Sequence, residues 1–410
     1  MKDKIAVIGV GHTEFGELWD SSWIDLVEEA GLGALEDASI KKKDIDKFFL
    51  GNMSLGMFGG QEHTASKVFS EVFSGGPDSH VLGRRIEGAC SSGGLALEAS
   101  FNDILAGIHH GQDKIIMAGG FEKMTDKPTD EATKILSAAS DMGKEMGFTF
   151  PALYGIIKDR YIEETGAEEE DFDYIAVKSH KNASLNSRAQ YSFEVSHSKV
   201  KDSFKVASPT KLLNSSGIAD GAAAVIMTTV RKAEEIGTDY VVLEDVQGVN
   251  DSIALFERED ILTLVSTKRA ADMVYRSTGF GPEDVDIAEV HDCFSIAEIL
   301  ALEDLGFYPK REGWKWIKKS LSGCEEMDGP IPYKLPGGKN LFVNTSGGLK
   351  AKGHPVGATG IAQVVEVVEQ LSGRAGDRQV PDAKVGITHN VGGSGGTAVV
   401  SLLTKPDGVS

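Results

Sequence analysis

The stretch "KKKDIDKFFLGNM" (Lys41–Met53) returns in altered form as "GPEDVDIAEVHDCF" (Gly281–Phe294). Each runs from a helix exit through an acidic–apolar–acidic turn into a short strand. Two more echoes follow in the same order. "CSSGGLALEAS" (Cys90–Ser100) is answered by "GHPVGATGIAQVVE" (Gly353–Glu366), a glycine-rich turn opening a small-residue helix. "ADGAAAVIMTTV" (Ala219–Val230) is answered by "GSGGTAVVSLLTKP" (Gly393–Pro406), a glycine turn entering a strand. Three echoes in register predict a duplicated βα unit. Around them, buried-strand runs such as "KIAVIGVG" and "KIIMAGG" alternate with helical spacing such as "WIDLVEEAGLGALEDA". That rhythm predicts an α/β protein with a mainly parallel or mixed sheet covered by helices.

The chain has 410 residues, enough for a large single fold or two or three fused units. Lys and Arg number 42 against 62 Asp and Glu, a net charge of −20. Such a surface repels nucleic acid and anionic membranes. No apolar run approaches the roughly 20 residues of a membrane span, and the opening "MKDKIAVIGVGHTEFG" reads as a first strand rather than a signal peptide. The three cysteines (Cys90, Cys293, Cys324) are far apart and lack CxxC spacing. Disulfide and zinc readings fail, no metal is expected, and a reducing cytoplasmic compartment fits.

Between the halves, 121–213 breaks the rhythm and reads as an insertion over one face. The expected division is 1–120 with 214–232 as one half, 121–213 as an inserted loop domain, and 238–405 as the second half. Lys178, Lys181, Arg188, Lys199, Lys201, Lys205 and Lys211 gather late in the insertion against only Glu194 and Asp202. This local reversal of charge fits either a docking surface for an anionic ligand or a solvated lysine-rich face.

Four segments carry candidate chemistry. In "IEGACSSGGLALE" (Ile86–Glu98), Cys90 precedes a glycine turn into a helix. Unpaired N–H groups and the positive end of the helix dipole would lower its pKa and favour thiolate. By itself a buried structural thiol is the commoner reading. "EVHDCFS" puts His291, Asp292 and Cys293 at the carboxyl end of a strand, where α/β sheets bind ligands. "NTSGGLKAKGHPVGATG" (Asn344–Gly360) holds His354 on a glycine-lined turn whose freedom Pro355 limits, and it contains no phosphate-binding GK[ST] or GxGxxG. "THNVGGSGG" (Thr388–Gly396) lies between two strands, and its backbone N–H groups suit either an oxyanion hole or a tight hairpin. A cysteine nucleophile needs a base, oxyanion donors and a proton shuttle, and these four segments supply each role once.

"GACSSGG", "VHDCFS", "NTSGGLKAKGHPVGATG" and "HNVGGSGG", in this order over nearly the whole chain, resemble the thiolase superfamily, as does "SSGIADGAAAVI" (Ser215–Ile226). The HDCF block is closest to the sterol-carrier-protein-2-type and archaeal acetyl-CoA acetyltransferases. The resemblance implies a five-layered αβαβα fold of two halves with an inserted loop domain. It also implies thiolytic cleavage of a 3-oxoacyl-CoA, or the reverse Claisen condensation, through an acyl-cysteine. Coenzyme A is then a co-substrate, with no permanently bound cofactor. Cys90 matches the acylated nucleophile, and His354 matches the histidine that activates it and lines an oxyanion site. His291 stands where biosynthetic members carry a water-holding Asn. The N–H groups of Cys90 and Gly392 match the second oxyanion hole. The last glycine loop lacks the usual acid/base cysteine, so the resemblance to HDCF members transfers that role to Cys293. Lys211, Ser216, Gly217, Gly348, His389 and Asn390 are expected to contact substrate or CoA. A homodimer or dimer of dimers and, by analogy with archaeal and bacterial members, a small zinc-ribbon/OB-fold partner are also implied.

Two rivals fit part of this pattern. A decarboxylating ketoacyl-synthase-like enzyme would use a Cys-His-His set but has no need of Cys293. A non-catalytic acyl-CoA or lipid carrier with the same fold would tolerate loss of Cys90. The acyl group itself, from acetoacetyl to an aromatic benzoylsuccinyl type, is not readable from these residues; "DMGKEMGFTFPALYG" (Asp141–Gly155) is the expected contributor to the pocket.

Overall fold

The computed structural model describes residues 4–74 and 81–406. Residues 1–3 and 75–80 of the expected N-terminal half lie outside the described residues. The strands are β1 (Ile5–His12), β2 (Lys47–Gly51), β3 (Leu82–Ile86), β4 (Ile116–Glu122), β5 (Lys205–Ala207), β6 (Thr210–Lys211), β7 (Gly221–Thr229), β8 (Val241–Asn250), β9 (Ile287–Val290), β10 (Pro332–Lys334), β11 (Asn340–Val343), β12 (Val385–Gly392) and β13 (Thr397–Thr404). All but the small β5–β6 pair join one sheet in the order β10-β11-β9-β12-β13-β8-β1-β7-β4-β2-β3.

That order contains the same unit twice. In the first half β3, β2 and β4 run parallel, and β7 and β1 continue antiparallel. In the second half β11, β9 and β12 run parallel, and β13 and β8 continue antiparallel. β10 is an extra edge strand. The halves are joined by a short antiparallel contact of Ile5–Val7 in β1 with Val241–Leu243 in β8. The three sequence echoes fall on matching elements: β2 with β9, the helix Ser92–His109 with the helix Thr359–Leu371, and β7 with β13.

Strand alternation separates the layers, because successive side chains point to opposite faces. In β1, Ile5 and Val7 face a central core, and Ala6 and Ile8 face an outer one. The central core is filled by Ala96, Leu97, Phe101 and Ile104 of one helix and Ile361, Val364, Val365 and Val368 of the other. Outer helices, Trp23–Asp37 on one half and Val265–Thr278 on the other, cover the far faces. The result is helix, sheet, central helices, sheet, helix.

The two central helices start against each other, and this requires glycine. A Cβ on Gly93 would sit 2.8 Å from the Gly357 carbonyl oxygen, and one on Gly360 would sit 2.4 Å from the Gly94 nitrogen. No side chain fits there. The close approach brings the turns before the two helices, which carry Cys90 and His354, to one place.

The helices Phe150–Thr165 and Asp173–Ser184 and the β5–β6 pair lie between β4 and β7, outside the large sheet. The lysine-rich stretch does not form one basic face. Lys178 is buried 2.9 Å from Glu298, Lys211 is buried 2.6 Å from Asp173, and Arg188 pairs with Glu369 at 2.6 Å. Lys201 and Lys205 reach Glu170 and Glu169, each at 2.8 Å. Of the two open readings, these ion pairs argue against the anionic docking surface. The neutralising carboxylates come from outside the lysine-rich window, where local charge counting does not see them.

Candidate active site

Cys90 sits on a single 3₁₀ turn (Ala89–Ser91) between β3 and the helix Ser92–His109. Ala89 has φ +54°, a left-handed conformation that costs a side-chain-bearing residue about 1–3 kcal/mol. The turn is held by the Ser91 hydroxyl donating to Gly88 O (2.5 Å) and the Ser92 hydroxyl donating to Ala89 O (2.6 Å). Asn390 locks it from the other half, donating to Cys90 O at 3.0 Å and accepting from the Gly94 N–H at 3.1 Å.

One atom from each of Cys90, His291 and His354 lies within 4.8 Å of the others, and the two rings meet edge-on with centroids 5.0 Å apart. Hydrogen bonding fixes opposite tautomers for the two imidazoles. His354 Nδ1 is 2.7 Å from the Thr359 hydroxyl, which donates its one proton to Pro355 O (3.0 Å). His354 Nδ1 is therefore the donor and its Nε2 carries a free lone pair. His291 Nδ1 accepts the Val391 N–H at 3.3 Å, so its proton is on Nε2. The site thus offers one base and one donor side by side. A thiophilic ion spanning the three groups would need the opposite tautomer of His291, at the expense of the Val391 hydrogen bond.

Burial governs the protonation states. It lowers His354 to about 3, and it holds His291 far below its ordinary range with His354 and His389 adding to the effect. Burial pushes the Cys90 thiol up to about 12, with Glu122 and Glu87 contributing. The N–H groups of Gly393 and Cys90 itself pull the other way. This overturns the expectation of a thiolate lowered by the helix terminus: desolvation outweighs the dipole. The resting pair is a neutral thiol beside a neutral imidazole.

Cys293 follows β9 and faces the same cavity of about 450 Å³. Burial, then the neighbouring Cys90, raise its thiol, and a hydrogen bond with the Tyr154 hydroxyl lowers it. Behind it, Asp292 accepts the Leu349 N–H at 2.6 Å, and buried Glu298 takes Lys178 (2.9 Å) and the Asn344 amide (3.1 Å). The cavity walls are mainly apolar and include Met124, Leu136, Phe150, Phe294 and Val356.

Cys90, Cys293, His291 and His354 therefore share one cavity, and Ser216 and Gly217 also line it. Lys211, Gly348, His389 and Asn390 do not. Lys211 is tied to Asp173. A Cβ on Gly348 would lie 2.3 Å from Asp292, behind the site. His389 Nδ1 accepts the backbone N–H of His291 at 3.5 Å, and its Nε2 meets the Thr267 hydroxyl at 2.8 Å. Asn390 supports the Cys90 turn. Gly393 rather than Gly392 lines the cavity, and its N–H is the one that pulls the Cys90 thiol down. Tyr154 was not readable as a site residue. Its only signal was its place in the Asp141–Gly155 stretch expected to contribute to the pocket.

The chain belongs to the thiolase family of acyltransferases: residues 5–231 match the thiolase N-terminal domain and residues 248–405 a thiolase C-terminal domain-like model. It is 44% identical over 407 residues to an acetyl-CoA acetyltransferase of Methanothermobacter thermautotrophicus, covering 99% of this chain and 100% of that protein. It is 32% identical over 395 residues to the benzoylsuccinyl-CoA thiolase subunit BbsB of Thauera aromatica, covering 96% of each. Among solved structures, the Ltp2-ChsH2(DUF35) aldolase shares the fold at a TM-score of 0.79 and 20% identity, covering 99% of both chains. No helix among the described residues is long and apolar enough to cross a membrane.

Proposed function

We propose that this chain exchanges acyl groups between coenzyme A thioesters through an acyl-cysteine on Cys90, cleaving a 3-oxoacyl-CoA with CoA or running the reverse condensation. The observation that carries this reading is the grouping of Cys90, His291 and His354 within 4.8 Å, with Cys293 in the same cavity.

The free lone pair of His354 takes the Cys90 proton as sulfur attacks the thioester carbonyl; the C–S bond to CoA then breaks and the departing CoA sulfur takes the proton of Cys293, so no standing thiolate is needed at rest. The N–H groups of Cys90 and Gly393 receive the developing oxyanion. The second acyl-CoA lies with its thioester oxygen toward the Nε2–H of His291. Cys293, left as a thiolate by the transfer to the departing CoA sulfur, removes its α-proton: the C–H bond breaks, an S–H bond forms, and the electron pair moves onto the enolate oxygen. The enolate carbon then attacks the acyl group on Cys90, whose sulfur leaves and recovers its proton through His354. Thiolysis reverses these steps, with Cys293 giving the proton back. A decarboxylating enzyme would have no use for the second thiol at this position.

Ser216 and Gly217 contact the acyl-CoA in this reading, and the apolar walls accept acyl groups from acetoacetyl size to an aromatic ring. A homodimer or dimer of dimers in the cytoplasm, a small zinc-ribbon/OB-fold partner, and a division at 1–120 with 214–232, 121–213 and 238–405 belong to the same proposal. The second component in the name of the Ltp2-ChsH2(DUF35) aldolase and the word subunit in the Thauera protein's name support a second chain.

The test is incubation with acetyl-, acetoacetyl- and aromatic 3-oxoacyl-CoAs, followed by peptide mass spectrometry and a thiolysis assay. An acyl adduct is expected on Cys90. Cys293→Ala should still acylate while condensation and thiolysis disappear. Absence of an adduct with every acyl-CoA would favour a carrier, and full turnover by Cys293→Ala would refute the shuttle.

A further inference from the structure

Tyr154 is almost fully buried at the wall of the catalytic cavity. Its ring stacks on Phe294, the neighbour of Cys293, with centroids 4.6 Å apart. Its hydroxyl donates to the Gly393 carbonyl oxygen at 3.3 Å, and it lines the same cavity as the Cys293 thiol. The N–H of that same Gly393 points at the Cys90 sulfur. The turn beyond is clamped by buried Arg258, which donates to Ser394 O at 2.6 Å and to Ser252 O at 3.1 Å. Gly393 therefore lies beside Cys90 and is tied through Tyr154 to the cavity wall next to Cys293.

A phenol has one proton and a carbonyl can only accept. With Cys293 protonated, Tyr154 donates to Gly393. When Cys293 carries the negative charge, its S–H donor is gone, and the sulfur becomes a stronger acceptor than the neutral carbonyl. Rotation about the C–O bond brings the phenol proton to the sulfur.

We propose that Tyr154 is a positioning residue for proton transfer at Cys293, its hydroxyl turning from the Gly393 carbonyl to the sulfur whenever that thiol is deprotonated. This rests on Cys293 being the proton shuttle. Burial sets a high barrier to a thiolate here, and Tyr154 lowers it at the step where the α-proton is removed or returned. A hydrogen bond to a charged group in a dry site corresponds to about 10- to 100-fold in rate.

The experiment compares the wild-type chain, Tyr154→Phe and Cys293→Ala. The Phe side chain keeps the ring on Phe294 and removes only the hydroxyl. Deuterium uptake at the α-carbon of acetyl-CoA in D₂O reads proton abstraction directly, and iodoacetamide labelling resolved by peptide reads Cys293 thiolate against pH. Tyr154→Phe is expected to slow uptake about 10- to 100-fold through kcat with KM within about 2-fold. Cys293 labelling should move to higher pH to match. Wild-type rates and an unmoved labelling profile in Tyr154→Phe overturn the role of Tyr154 alone. Wild-type uptake no faster than that of Cys293→Ala overturns the shuttle, and the role of Tyr154 with it.

Discussion

In the N-terminal half the chain leaves β3 at Ile86, turns sharply at Ala89–Ser91 and enters the helix Ser92–His109. In the C-terminal half it leaves β11 at Val343, makes a longer excursion and enters the helix Thr359–Leu371. The two turns occupy equivalent places, yet the first carries the thiol and the second the base. The other strand ends differ in the same way. After β9 come His291 and Cys293, whereas after β2 come Asn52 and Met53, which donate to the buried carboxylate of Glu122 at 2.9 Å each. Glu122 also takes the Gly357 N–H from the His354 loop. Duplication supplied two similar corners. One carries the cavity's His291 and Cys293, and the other became a clamp on the turn that carries His354.

The sharpest break of this pairing is removal of its reacting groups. Cys90→Ala is expected to abolish the acyl adduct and lower turnover by at least about 10⁴-fold. His354→Ala should slow acylation about 10²- to 10⁴-fold, because the thiol then has no acceptor for its proton. Adduct formation at the wild-type rate in His354→Ala would move the base elsewhere. The contrast with Cys293→Ala, which acylates but does not condense, separates the two chemical steps.

A second contrast lies beneath the site. Lys178 and Glu298 are both fully buried and 2.9 Å apart, and Glu298 also holds Asn344. Lys178→Met leaves a carboxylate without its cation and is expected to cost about 3–5 kcal/mol of stability, read by urea unfolding. A loss below about 1 kcal/mol would mean that water or another cation reaches Glu298.

The fold was legible because the duplicated pattern is local: each echo is a short run whose turn, glycine and apolar residues declare one strand or helix. The four side chains that share the cavity were legible for a related reason, since each sits on such a run. What the sequence did not reveal depends on packing between runs. Gly393 rather than Gly392 lines the cavity beside Cys90, since Gly392 still belongs to β12. His389 and Asn390 became supports because β12 buries them behind the cavity. The Cys90 thiol is high rather than low because its surroundings are dry, which a helix terminus read in isolation does not report.

Dryness has its own consequence for stability. His354 and His389 are each lowered to about 3, while an unfolded histidine titrates near 6.5. Between these values the unfolded chain binds protons that the folded chain does not, so stability falls as pH drops below 6.5. Each histidine is expected to contribute a loss of about 2 kcal/mol between pH 6.5 and 5. Urea midpoints at the two pH values measure it, and His389→Gln should flatten the dependence. An unchanged slope would place His389 in contact with solvent.

The smallest effect concerns the lysines that looked like a ligand surface. Lys201 and Lys205 are about half exposed and paired with Glu170 and Glu169 at 2.8 Å. Exposed pairs of this kind contribute roughly 0–1 kcal/mol, since solvent screens the attraction and ordering two long side chains opposes it. Lys201→Ala with Lys205→Ala should therefore change stability by less than about 1 kcal/mol and leave KM for CoA within about 2-fold at low salt. A 10-fold rise in KM that high salt erases would mean that these lysines leave their carboxylates for the phosphates of the incoming thioester. In that case the lysine-rich stretch would regain the docking role that its ion pairs now argue against.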